Sequence, residues 1–212
     1  MLVIYTALGD SITFGENAST VAKSYPRLVV SNLHSHKVYG YVLAHPGWNS
    51  YDLLDAVIWK GDNVISQSTV VSVWIGGIDL ANAALLPFLR KQSTHVKQMI
   101  CAYRLNLRAI IKRIQKGSRT RIVCCTQYNP FPNTSASNKW ICQLNRVTNE
   151  EAQRLNVKVA PVYSWFEGKQ AELIHGYRRG KIEDALSGSP PIHPNDQGHL
   201  VIASGLTPYL FP

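Results

Sequence analysis

The sequence predicts an α/β fold, a parallel sheet covered by helices on both faces. Short apolar runs alternate with amphipathic helical patterns, and the loops that follow the runs are rich in Gly, Pro and Asn. Strands are expected at Leu2–Leu8, Lys37–Ala44, Thr69–Ile75, Thr120–Thr126 and Val157–Val162. Helices are expected at Val21–His34, Ser50–Trp59, Gln92–Lys116, Ser137–Asn156 and about Asp196–Thr207. The third is the clearest. Val96, Met99, Ile100, Tyr103, Leu107, Ile110, Ile111 and Ile114 recur three and four residues apart and form one apolar stripe, which Gly117 ends. Asn195 or Asp196 is the expected cap of the last helix. No repeat or linker divides the chain, so residues 1–212 are expected to form one domain.

Composition narrows the function classes. An apolar fraction of 45% is that of a soluble globule, and no apolar run reaches the roughly 18 residues of a membrane span. Without a basic segment ahead of Leu2 no signal peptide is read, so the expected compartment is the cytoplasm, or the exterior if a leader has been removed. Cys101, Cys124, Cys125 and Cys142 lack zinc-site spacing, and the Cys124-Cys125 pair is expected as buried, reduced thiols. The histidines other than His193 show no metal-site spacing, and neither metal nor cofactor is expected.

The net charge of +9 is unevenly spread, with no acidic residue between Asp79 and Glu150. A solvated basic helix face explains this, and weak contact with an anionic surface is the sharper alternative. Specific nucleic-acid recognition has no supporting signature.

Ser11 and His193 stand out chemically. A strand that ends in Gly9-Asp10-Ser11 places a hydroxyl at the carboxyl edge of the sheet, where open α/β sheets bind ligands. A histidine returning to that edge in Ile192-His193-Pro194-Asn195 can take the serine proton and so activate a weak alcohol nucleophile. The later strands lead into further turns at the same edge, among them His45–Asn49, Gly76–Asp79 and Gln127–Pro132. Trp48, Tyr128, Phe131 and Trp165 lie on or near these loops as possible walls of an acyl pocket, and His45 is a possible lining residue beside Gly47.

Gly9-Asp10-Ser11-Ile12 resembles the first block of the GDSL, or SGNH, hydrolases. Gly47 matches the glycine of the second block. Gly76-Gly77-Ile78-Asp79 resembles the third, and Ile192-His193-Pro194-Asn195 the fifth. Tyr128-Asn129-Pro130 and Tyr163–Gly168 look like the bacterial lipase and esterase branch. The blocks run in order over nearly the whole chain. The resemblance implies a flavodoxin-like three-layer α/β/α sandwich with a five-stranded parallel sheet. It also implies a serine hydrolase of esters, with Ser11 as nucleophile, His193 as general base, and the N–H groups of Ser11 and Gly47 as oxyanion donors.

Two positions depart from the pattern. Ile78 stands where the family has an asparagine, a side-chain oxyanion donor, and losing such a donor costs on the order of 3 kcal/mol unless it is replaced. Asn49, Asn82 and Asn129 are the possible replacements. Pro190 stands three residues before His193, where the family has an aspartate. Asp184, Glu183 or a backbone carbonyl is expected to orient the imidazole instead.

The reading is an ester hydrolase, esterase- or lipase-like or a carbohydrate O-deacetylase, of reduced activity, whose partner is a small-molecule or lipid-like acylated ester. The alternative is a silent protein of the same fold that holds an acylated or anionic ligand. A nucleotide-binding flavodoxin-like protein is disfavoured, because the first turn lacks a phosphate-cradling glycine run. Oligomeric state and acyl specificity are not encoded in any recognisable pattern.

Overall fold

The computed structural model describes residues 2–33, 37–116 and 120–212. Gly117, His34, His36 and Arg119 lie outside the described residues. Five strands form one sheet in the order β2-β1-β3-β4-β5. They are β1 (Leu2–Gly9), β2 (Lys37–Ala44), β3 (Val70–Trp74), β4 (Arg121–Cys125) and β5 (Lys158–Ala160). Every pairing is parallel. The helices that connect them are α1 (Tyr25–Ser31), α2 (Ser50–Trp59), α3 (Val96–Gln115) and α4 (Ser135–Arg154), and α5 (Asp196–Leu210) closes the chain.

A sheet buried on both faces needs apolar residues pointing both ways, and β1, β3 and β4 supply them. Tyr5, Ala7, Trp74 and Cys125 face a core completed by Tyr25 and Val29 of α1 and by Ile202 and Leu206 of α5. Leu8, Val71, Val73 and Cys124 face the opposite core, filled by Leu53 of α2, Tyr103 and Leu107 of α3, and Leu144 of α4. The protein is therefore a three-layer α/β/α sandwich. Neighbouring Cys124 and Cys125 point into different cores, both as buried free thiols, whereas Cys101 and Cys142 are exposed.

Three differences from the expected elements have local causes. The helix expected over Val21–His34 is a single tight turn, Val21–Lys23, followed by α1. Pro26 sits in the first turn of α1, where its missing N–H costs nothing, and Ser24 before it is extended. The helix expected from Gln92 begins at Val96, because the His95 N–H is drawn to the Ala83 carbonyl at 2.8 Å. Short helical turns over Gly77–Leu89, including a wide turn at Ala81–Leu85, arise from an apolar stretch with no clear period.

The basic stretch is partly neutralised by the acidic pair that ends it. Buried Glu151 accepts hydrogen bonds from Arg104 and Arg108, at 2.9 and 2.7 Å. Glu150 takes Arg104 at 2.6 Å and lies 3.6 Å from Arg146. Among the described residues, no helix is long and apolar enough to cross a membrane.

The topology fixes where chemistry can occur. β1 pairs with β2 on one side and with β3 on the other, and the connections from those strands diverge. The crevice beyond the carboxyl end of β1 is thus the switch point of the sheet. Gly9, the last residue of β1, lies opposite both Ala44 and Trp74. A Cβ on Gly9 would run into the Thr13 side chain and the Trp74 carbonyl oxygen, so only glycine lets the turn after β1 pack this tightly. Gly9→Ala should destabilise the protein by about 1–3 kcal/mol, the usual cost of overpacking, read as a lower urea midpoint at unchanged slope.

Candidate active site

Ser11 opens a one-turn helix, Ser11–Phe14, directly after β1. Asp10 caps it, its carboxylate accepting the Ile12 N–H at 3.1 Å, and Gly15 ends it in the left-handed region at φ 102°. The turn fixes Ser11 at the floor of a cleft, and a serine at the first position of a helix presents a backbone N–H with no intrahelical partner. Burial pushes the Asp10 carboxyl up to about 7, with nearby Asp79 adding to the shift. Asp79 is held by Ser50, whose N–H donates to it at 2.8 Å and whose hydroxyl donates to its other oxygen.

His193 arrives from the far end of the chain. A bridge between Ile174 and Pro194 and a bond from the His175 N–H to the His193 carbonyl (2.9 Å) pin its loop. The Tyr128 hydroxyl donates to the Ile192 carbonyl at 2.6 Å, joining the β4 loop to the histidine loop. Asn195 caps α5 by accepting the Gly198 N–H at 2.9 Å. These ties place His193 Nε2 2.9 Å from Ser11 Oγ.

The other ring nitrogen, Nδ1, faces Asn17 Oδ1 at 3.2 Å and Glu16 Oε2 at 3.7 Å. An amide oxygen can only accept, so Nδ1 carries the proton. Nε2 is then left to accept from the serine hydroxyl. Burial lowers the His193 pKa from the usual imidazole value, while the Glu16 carboxylate opposes that shift. The ring is therefore neutral near pH 7 and able to take a proton.

The segment that carries Glu16 and Asn17 is itself anchored. His199 Nδ1 accepts the Tyr25 N–H at 3.3 Å, which leaves its Nε2–H to donate to the Glu16 carbonyl at 3.2 Å. Burial lowers the His199 pKa too, which favours this neutral form. Asp196 takes the Ser19 N–H and hydroxyl, each at 2.7 Å, and the Lys23 ammonium at 2.6 Å. Asn17 adopts φ 63°, a conformation that asparagine tolerates better than most residues.

The cleft of about 110 Å³ around Ser11 and His193 is mostly apolar. Ile12, Ile78, Leu80, Leu85, Phe131, Trp140, Ile141 and Ile192 line it, with Gln127 among the few polar side chains. Tyr128 and Phe131 are wall residues as expected, but Trp48 and Trp165 are not among the lining residues. Trp48 stacks on His45 at 5.8 Å, and Trp165 packs beside Gly205 and Tyr209. Gly47, at φ 86°, lies in the loop after β2, the neighbour of β1.

The structure does not bring the expected substitutes to the dyad. Asn49 is spent on capping α2, accepting the Tyr51 and Asp52 N–H groups. Asn82 is exposed and outside the cleft lining. The amide oxygen of Asn129 accepts from Phe131 and Ser137, and its nitrogen donates to Asn138 at 2.7 Å. Asp184 is bound by Arg179 and by the N–H groups of residues 179 and 181, while Glu183 and Pro190 are exposed. Among the described residues, the carboxylate within 4 Å of the His193 ring is that of Glu16. The sequence reading missed Glu16 and Asn17. The available signal was Gly15, a helix stop that turns the chain back over the sheet edge just after Ser11.

The family model described as GDSL-like lipase/acylhydrolase matches residues 7–201. The spore germination lipase LipC of Bacillus licheniformis is 23% identical over 97% of this chain and 95% of its own length. Among solved structures, the lipase Lip_vut3 from a goat rumen metagenome superimposes with a TM-score of 0.78 at 22% identity, covering 98% of this chain and 97% of that one. The acetylxylan esterase Axe2 of Geobacillus stearothermophilus gives a TM-score of 0.73 at 19% identity, over 99% of this chain and 94% of that one.

Because Glu16 is the neighbour that holds the His193 pKa up, Glu16→Gln should lower the imidazole midpoint further. Proton NMR of the ring across pH 4–8 (about the range of imidazole titration) reads this directly. An unchanged or raised midpoint would show that the carboxylate does not act on the ring.

Proposed function

The chain belongs to the GDSL-like lipase/acylhydrolase family, a family of ester hydrolases, and we propose that it cleaves carboxylic esters through an acyl-Ser11 intermediate. The observation that carries this reading is the 2.9 Å contact between Ser11 Oγ and His193 Nε2, with the opposite ring nitrogen held by Asn17. As Ser11 Oγ attacks the ester carbonyl carbon, His193 Nε2 takes the hydroxyl proton and the carbonyl π electrons move onto oxygen. Collapse of the tetrahedral intermediate expels the alcohol, which leaves with the proton from His193. Water then repeats the sequence on the acyl-enzyme, with His193 again as base, and releases the acid. The N–H groups of Ser11 and Gly47 are the backbone donors for the oxyanion in this reading.

Asn17 holds the ring and its tautomer but brings no full negative charge to the imidazolium that forms. Glu16, at 3.7 Å, supplies that charge only partly, being itself partly exposed. The site is thus a serine–histidine dyad steadied by an amide and a nearby carboxylate, which supports turnover below that of a full triad. The apolar walls favour an acyl chain over a sugar ring on that side of the serine.

Ser11→Ala should abolish hydrolysis of p-nitrophenyl butyrate and covalent labelling by a fluorophosphonate, with thermal stability kept. Full turnover in that variant would refute the nucleophile. The kcat/KM profile should rise through a midpoint below the ordinary imidazole value of about 6.5, since only the neutral ring accepts the proton. Asn17→Asp should raise kcat and move this acid limb to higher pH, because a carboxylate at Nδ1 favours imidazolium. A limb that stayed in place would remove Asn17 from the assigned position.

A further inference from the structure

Gln127 leads out of β4, next to the strand that leads to Ile78, and the two side chains line the same cleft as Ser11. Its backbone is fixed on both sides. The Gln127 N–H donates to Asn145 Oδ1 at 2.7 Å, and Asn145 Nδ2 donates back to the Gln127 carbonyl at 2.8 Å. The residue is only 5% exposed, yet its side-chain Nε2 is buried with no hydrogen-bond partner among the described residues. A buried amide donor left unpaired costs about 1–3 kcal/mol. The other buried side-chain polar atom so left is the Trp74 nitrogen, which belongs to the core rather than the cleft. The cleft that Gln127 lines is walled mainly by apolar groups such as Ile78, Ile141 and Phe131, and an entering ester carbonyl would supply the acceptor that this amide lacks.

We propose that the Gln127 side-chain amide donates a hydrogen bond to the carbonyl oxygen of the bound ester and takes over the role that Ile78 cannot fill. The proposal rests on the ester-hydrolase reading above. When Ser11 Oγ bonds to the carbonyl carbon, the π pair moves onto the oxygen and its charge grows. Gln127 transfers no proton, and its amide dipole stabilises that charge more in the tetrahedral intermediate than in the bound ester. Three features fit the task. The donor is not spent on the protein, its backbone is clamped before substrate arrives, and the surrounding apolar walls strengthen any dipole placed there. Asn49, Asn82 and Asn129 lack this combination, since each is engaged elsewhere or lies outside the cleft.

The test uses the full chain and p-nitrophenyl butyrate, with wild type, Ser11→Ala, Gln127→Leu, Gln127→Glu, Ile78→Asn and the Gln127→Leu/Ile78→Asn double variant. Gln127→Leu is expected to lower kcat about a hundred- to thousandfold with KM little changed, as for loss of an oxyanion donor. Fluorophosphonate labelling of Ser11 should slow in parallel. Gln127→Glu, nearly the same size, should also lose kcat, which guards against misfolding of the leucine variant. Ile78→Asn should restore much of kcat in the Gln127→Leu background and add less to wild type, because both amides then serve one oxygen. The proposal is overturned if Gln127→Leu and Gln127→Glu keep wild-type kcat, if the loss lies in KM alone, or if Ile78→Asn acts equally in both backgrounds. Equal turnover by wild type and Ser11→Ala, or no turnover by wild type, would instead overturn the reading on which it rests.

Discussion

The 2.9 Å contact between Ser11 Oγ and His193 Nε2 closes a separation of 182 residues, and much of the sheet edge is organised around it. The serine is held by the turn that Gly9 allows to pack against Trp74 and that Asp10 caps. The histidine is held by a small bridge, a tyrosine hydroxyl and the cap of α5. Neither half depends on a long flexible side chain. Both sit on backbone tied to the ends of rigid elements, the condition under which a proton path stays short enough to serve chemistry.

The imidazole of His193 takes its orientation from the loop that follows β1. Pro190, on the approach to the histidine, offers no carboxylate, whereas Asn17 and Glu16, just beyond Ser11, face Nδ1. The segment that carries them has no helix or strand to hold it, so its position depends on tertiary ties. His199 holds the Glu16 carbonyl, and Asp196 gathers Ser19 and Lys23. His193, in the loop before α5, and His199, within α5, work in opposite senses. The first has Nδ1–H and a bare Nε2, the second a bare Nδ1 and Nε2–H. Burial keeps both neutral near pH 7, and each tautomer follows from the group facing the other nitrogen.

The apolar lining of the cleft has two consequences of opposite sign. Ile78 offers the cleft no hydrogen-bond donor, but it adds to the apolar wall and lowers the local polarity. Low polarity raises the worth of every remaining dipole and the cost of leaving one unpaired. Burial also lifts the carboxyl of Asp10, which caps the turn that carries Ser11, to about 7. A few well-placed polar groups in an otherwise apolar cleft is the ordinary form of a small-ligand site.

The order of strands and helices could be read from the chain because it rests on local periodicity, and β2 and α2 have the expected ends. The α3 stripe is one such signal, since spacing along a helix is fixed by backbone geometry whatever surrounds it. Ser11 and His193 were legible for a related reason: short segments at a strand end and before a helix carry their own turn chemistry. The partner of Nδ1 was not legible, because residues 17 and 193 meet only after the whole sheet has been wound. Asp184 looked available in the sequence and is consumed by Arg179, a pairing that only packing reveals. Gln127 is the extreme case, for an unpaired amide is defined by what does not surround it, and that is decided by the folded structure alone.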